Sequence, residues 1–144
     1  MTPETIQILE SDRDKYPMLY GRAAPAHLVD DAVAAIGLDF PADYREFLRR
    51  FGSAIVGAYP IFGVTPAEEL GNRWSVVDVN RAYREDGWSD VGEWLIVSAD
   101  HAGNPIGIAP DGSVWLNDHD FGDVVPLAVS FEDFIRSRCL RVAG

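Results

Sequence analysis

Ser98, Asp100 and His101 together supply the side chains of a hydrolase triad. All three fall within four residues at the end of one apolar run. Triad members come from separate elements so that they converge on one reacting atom, and this spacing prevents that. A second cluster is Asp118, His119, Asp120 and Asp123, whose carboxylates and imidazole are suitable ligands for a divalent cation. It misses the calcium-loop pattern, because Gly122 stands at the fifth place and Val129 at the twelfth. No second histidine lies at metal-binding spacing, so no metal is expected. The cluster reads either as a polar recognition loop or as a plain hydrogen-bonded one. Cys139 falls near the apolar side of a predicted helix and reads as packing. Phe51-Gly52-Ser53-Ala54 lacks the second glycine of a nucleophile elbow. No phosphate-cradling glycine loop and no dinucleotide fingerprint is present, so no cofactor is expected.

These residues must be positioned by elements that can be read from spacing. Residues 1–25 are polar with scattered apolar positions, broken by Pro17 and Pro25, and read as an irregular N-terminal arm. Leu28, Val29, Ala32, Val33 and Ile36 recur on one helical face, stopped by Gly37. Pro41 opens a second helix with Tyr44, Phe47, Leu48 and Phe51 on one stripe. Ile55 to Val64 is a short strand or an irregular turn region. Thr65-Pro66 with Glu68 and Glu69 predicts a short helix ending at Gly71. Val76, Val79 and Tyr83 predict a helix over 75–85, with Asp78, Asn80, Arg81, Arg84 and Glu85 facing outward. Four strands follow over 94–98, 106–109, 113–116 and 124–128, the middle pair joined by an Asp111-Gly112 hairpin turn. Residues 117–123 read as a polar loop. Ser130 and Asp133 resemble a capping box that starts a closing helix. Helices first and a hairpin-linked sheet later is an α+β pattern.

The chain has 144 residues, 23 acids and 12 bases, for a formal net charge of −11. Its length suits one domain. The charge argues against direct binding of nucleic acid or an anionic membrane, both of which need a positive surface. One cysteine cannot make an intramolecular disulfide, and no apolar run is long enough to span a bilayer. With no basic-then-apolar start either, the expected compartment is the cytoplasm.

The charge is unevenly placed. Residues 85–133 hold eleven acids and no Lys or Arg, whereas residues 1–84 carry twelve acids against nine bases. Two explanations are open: solvated turn residues, or an acidic face that steers a cationic partner. Trp88, between Gly87 and Ser89 in this acidic stretch, is the tryptophan expected to be partly exposed. Aromatics among carboxylates suit Arg-rich surfaces through ion pairs and cation–π contacts.

The run Leu38-Asp39-Phe40-Pro41-Ala42-Asp43-Tyr44-Arg45-Glu46-Phe47-Leu48-Arg49-Arg50-Phe51-Gly52 resembles the early motif of the SUKH superfamily (SMI/KNR-like proteins). Trp94 to Asp100 with Gly103-Asn104 looks like its central strand. Ile106 to Ala109, Asp111-Gly112 and Val114-Trp115 look like its next hairpin, and Ser130 to Ile135 is similar to its closing helix. Phe40 stands where Leu is usual, and Gly52-Ser53 replaces the common Asn-Gly. The resemblance implies an α+β fold over residues 26–144, with N-terminal helices, a mainly antiparallel sheet and a closing C-terminal helix. It also implies a protein-binding role without catalysis: in bacteria, an immunity protein that neutralises a cognate polymorphic toxin, frequently a nuclease. The expected partner is thus a basic toxin domain, and the expected binding residues are Asp86, Trp88, Asp90, Glu93, Asp118, His119, Asp120 and Asp123. The alternatives are a small-ligand or metal-dependent enzyme using Asp100, Asn104 and Asp118–Asp120, and a regulatory domain without a toxin.

Overall fold

The amphipathic stripe of residues 42–51 is the centre of the molecule. In the computed structural model, which describes residues 1–88 and 93–142, Tyr44, Phe47, Leu48 and Phe51 are all fully buried. They lie on helix α3 (Ala42–Phe51), which follows α2 (Ala26–Ile36). Phe131 meets the rings of Tyr44 and Phe47 at 5.0 and 5.5 Å, close to edge-on, a favourable arrangement for aromatic quadrupoles. The Tyr44 hydroxyl donates to the Phe62 carbonyl at 2.6 Å, so burial does not orphan it.

Residues 1–25 are not an irregular arm. Pro3–Lys15 is a helix, α1, with Thr2 as its N-cap and Pro3 in its first turn. Its weak apolar periodicity hid it. Only Thr5 and Leu9 are buried, and several polar contacts tie the helix to distant segments. Glu132 Oε2 accepts from the Thr2 amide (2.9 Å), the Thr2 hydroxyl (2.8 Å) and the Thr5 hydroxyl (2.6 Å). The Arg13 guanidinium lies 5.2 Å from the Phe51 ring centroid.

After α3, Gly52 takes a positive φ of 79°, where a Cβ would strike Thr65 and the Arg22 carbonyl. Glycine is therefore required both to stop the helix and to admit the chain returning at residues 63–65. A hairpin of β1 (Ala54–Val56) and β2 (Tyr59–Ile61) comes next. The helix expected over 65–71 is only a single 3₁₀ turn, Glu68–Leu70.

Helix α4 (Val76–Glu85) forms as its periodicity predicts, capped by Ser75. Asn80 does not face outward, however; it is 1% exposed. Its side-chain amide donates to the Val76 and Ile96 carbonyls (2.7 and 2.9 Å), and its oxygen accepts from the Ile96 amide (2.9 Å). Helical spacing could not show this, because the partner is a strand edge sixteen residues away. Asn80 thereby closes part of the outer edge of β3, and the Phe62 amide, donating to the Val97 carbonyl at 2.9 Å, closes another part.

The main sheet is antiparallel in the order β3 (Leu95–Ala99), β4 (Pro105–Ile108), β5 (Val114–Asp118), β6 (Asp123–Ala128). The polar loop expected over 117–123 is shorter, because Asn117 pairs with Val124 and Asp118 with Asp123. Ser130 caps α5 (Phe131–Phe134), accepting from the Asp133 amide at 3.0 Å. A π-helical turn over Ile135–Cys139 continues it. The α+β fold is as the sequence predicts.

Candidate functional site

Strand direction decides which acidic residues can meet. The register Leu95↔Ile108 and Ile108↔Val114 places the start of β3 beside the Asp111-Gly112 turn. The register Ala99↔Pro105 and Asp118↔Asp123 gathers the 100–104 turn and the 119–122 loop at the other end. Five strand residues separate the two ends by roughly 13 Å.

The second end forms a rim made of three segments tied to one another. Asp100 Oδ1 accepts from the amides of Ala102 and Asn104 (3.0 and 2.9 Å), and its Oδ2 accepts from the Asn104 side chain (3.0 Å). Asn104 Oδ1 in turn accepts from the His119 amide at 3.0 Å, joining the two loops. The Tyr83 hydroxyl donates to the Gly103 carbonyl at 2.7 Å, which brings in the end of α4. The Trp88 ring then meets Tyr83 edge-on (5.5 Å between centroids) and His119 at 4.9 Å. Burial pushes the Tyr83 hydroxyl above its ordinary range, with Arg73 opposing and Asp100 and Asp86 adding to the shift.

Of the predicted residues, Asp86, Trp88, Asp118, His119, Asp120 and Asp123 lie on this rim. Asp86 lines a cleft of about 400 Å³ with Trp88 and Tyr83. Asp118 stands directly across from Asp123, and its Oδ1 is held by the Asp120 amide at 3.1 Å. Like charges directly opposite on a ladder are destabilising, so this pairing works against the sheet. Glu93 is not with them. It lines a groove at the opposite sheet end with Leu38, Asp39 and Asp111. Asp90 lies outside the described residues.

Two further residues join the rim. Arg73 enters the cleft beside Asp86 and Trp88, although no base occurs between Arg84 and Arg136 in the sequence. It stands in the segment that leads into α4, whose Asp78, Val79, Ala82 and Tyr83 line the same cleft. Phe121 is 78% exposed at the loop tip, next to the exposed Val124 and Val125. An aromatic surrounded by Asp and Gly was the available signal.

The catalytic candidates stand in unlike environments. Asp100 and Asp118 spend carboxylate oxygens on their own turns, in the manner of Asx turns. Ser98 is fully buried, while His101 is exposed. Burial pushes the Cys139 thiol up, which opposes formation of a nucleophilic thiolate. Among the described residues, no group of three or more His, Cys, Asp or Glu is arranged to hold a metal ion. No helix among them is long and apolar enough to cross a membrane.

A comparison with curated proteins returns no match. The family model for the SMI1 / KNR4 family (SUKH-1) matches residues 24–137, from just before α2 into the π-helical turn, and leaves α1 outside. With the match covering most of the chain, and with helices, antiparallel sheet and closing helix in the order its motifs predict, the protein belongs to the SMI1 / KNR4 family (SUKH-1).

Proposed function

We propose that this chain is a non-catalytic immunity protein that neutralises a basic toxin domain, such as a nuclease, by docking it on the acidic rim. The family supports a protein-binding role. The observation that carries the finer reading is the Asp118–Asp123 rung, with Asp120 between and the Trp88–His119 contact beside it. Facing carboxylates cost sheet stability, and a cationic partner would relieve that cost. Phe121, Val124 and Val125 add exposed apolar surface at the same edge, as protein interfaces require at their centres. A nuclease presents positive surface for phosphate contact, which an acidic rim would occupy and block.

The test is co-expression with the C-terminal domain of the large secreted protein expected to be encoded beside this chain. That domain should arrest growth alone, and the wild-type chain should restore it. Asp118→Lys, Asp120→Lys and Asp123→Lys together should abolish protection and slow association by about tenfold or more, with a weaker salt dependence. Undiminished protection by the triple variant would sink the rim assignment.

A further inference from the structure

The groove that holds Glu93 has a different construction from the rim. Its volume is about 460 Å³, and it runs between the α2–α3 connection, the start of β3 and the β4–β5 turn. Phe40, Leu95 and Ile108 form a nearly buried apolar floor. Leu38, Pro41 and Pro110 form partly or fully exposed apolar walls. Asp39, Glu93 and Asp111 stand exposed around it.

The chemistry of this lining is one-sided. Among the described residues, three carboxylates line the groove, and no Lys, Arg or His does. Among the described residues, the lining side chains include no hydrogen-bond donor, since all the rest are apolar or glycine. Asp111 is committed to the Ser113 amide at 2.9 Å and to the Ser113 hydroxyl. Asp39 and Glu93 have neither a hydrogen bond nor an ion pair among the described residues. A site offering only acceptors of negative charge over an apolar floor selects a donor-rich cation attached to an apolar group.

We infer that this groove is a second docking site, taking a segment of a partner protein that places an apolar side chain beside lysine or arginine. The apolar side chain would lie against Leu38, Pro41 and Pro110, and the cation would reach Asp39 and Glu93. This is the groove mode of recognition, with anchors for affinity and charge for orientation. It does not depend on the rim, which lies at the other end of the sheet.

The experiment is amide chemical-shift titration of the full chain with acetyl-Leu-Arg-Leu-Arg-amide. Acetyl-Leu-Glu-Leu-Glu-amide and acetyl-Gly-Arg-Gly-Arg-amide serve as charge and apolar controls. Saturable shifts at Leu38, Asp39, Glu93 and Gly112 are expected with the first peptide, and much weaker ones with the controls. Asp39→Asn with Glu93→Gln should weaken that binding by about tenfold or more. Both side chains are exposed, so the folded spectrum should persist in this variant. Absence of saturable shifts in the groove would overturn the inference. So would equal binding of either control, or unchanged affinity of the double variant. Shifts confined to Asp86 and Asp120 would overturn it while leaving the rim reading standing.

Discussion

The seam where α1 meets α3 and α5 and the rim at the end of the sheet both gather charged side chains, but they use charge in opposite ways. At the seam, charges are joined across distant segments. Glu132 takes three hydrogen bonds from Thr2 and Thr5, and Arg136 bridges Thr5 (2.9 Å) and Glu4 (3.3 Å). The Tyr20 hydroxyl donates to Asp12 at 2.7 Å. At the rim, Asp118 accepts from its own loop, and Asp118 and Asp123 face one another. Long-range pairing makes the seam part of the fold. At the rim, among the described residues, the bonds of Asp118 stay within its own loop and tie no distant segment.

The largest effect should come from breaking the seam. Leu9 is the fully buried apolar anchor of α1, and Leu9→Ala should cost about 3 kcal/mol in chemical denaturation. A loss below about 0.5 kcal/mol would mean that α1 is an appendage rather than a wall of the core.

A smaller, pH-dependent effect is expected at Glu132. Burial opposes its ionisation, but the hydrogen bonds from Thr5 and Thr2 outweigh burial and hold its carboxyl below the ordinary range. A depressed folded pKa contributes stability above the unfolded value, and that contribution is lost as pH falls through the folded one. Stability should therefore fall below about pH 4.3. Glu132→Gln should cost about 1 kcal/mol at neutral pH and flatten that acid limb. Thermal melts from acid to neutral pH would show this, and an unchanged acid limb would detach Glu132 from the seam's stability.

The smallest effect on stability belongs to the rim. Asp120→Asn with Asp123→Asn should change the unfolding free energy by less than about 0.5 kcal/mol per site, with relief of the Asp118–Asp123 repulsion offsetting other losses. A loss as large as that of Leu9→Ala would show the rim to be structural and erase the contrast.

Legibility followed the range of the interactions. The stripes of α3 and α4, the Asp111-Gly112 turn and the Ser130 cap all depend on neighbours within about one turn, and each was readable. α1 was not, because Thr5 is paid for by Glu132, 127 residues away, rather than by an apolar face. Asn80 follows the same rule, since an amide aimed at a strand edge has the same local pattern as any polar helical residue. In the candidate site, the acids were visible, but their partition between two ends of a sheet was not.

Taken alone, the amino-acid order determined the amphipathic helices α2, α3 and α4, the α+β class of the chain, and the acidic surplus of its middle third. Tertiary structure alone decided which acids share a surface. Antiparallel register brought Asp118, Asp123 and His119 to one end and sent Glu93 to the other, and the packing of α4 beside the sheet added Trp88 and Arg73. The physical reason is that charge is counted along the chain, whereas electrostatic interaction depends on distance through space.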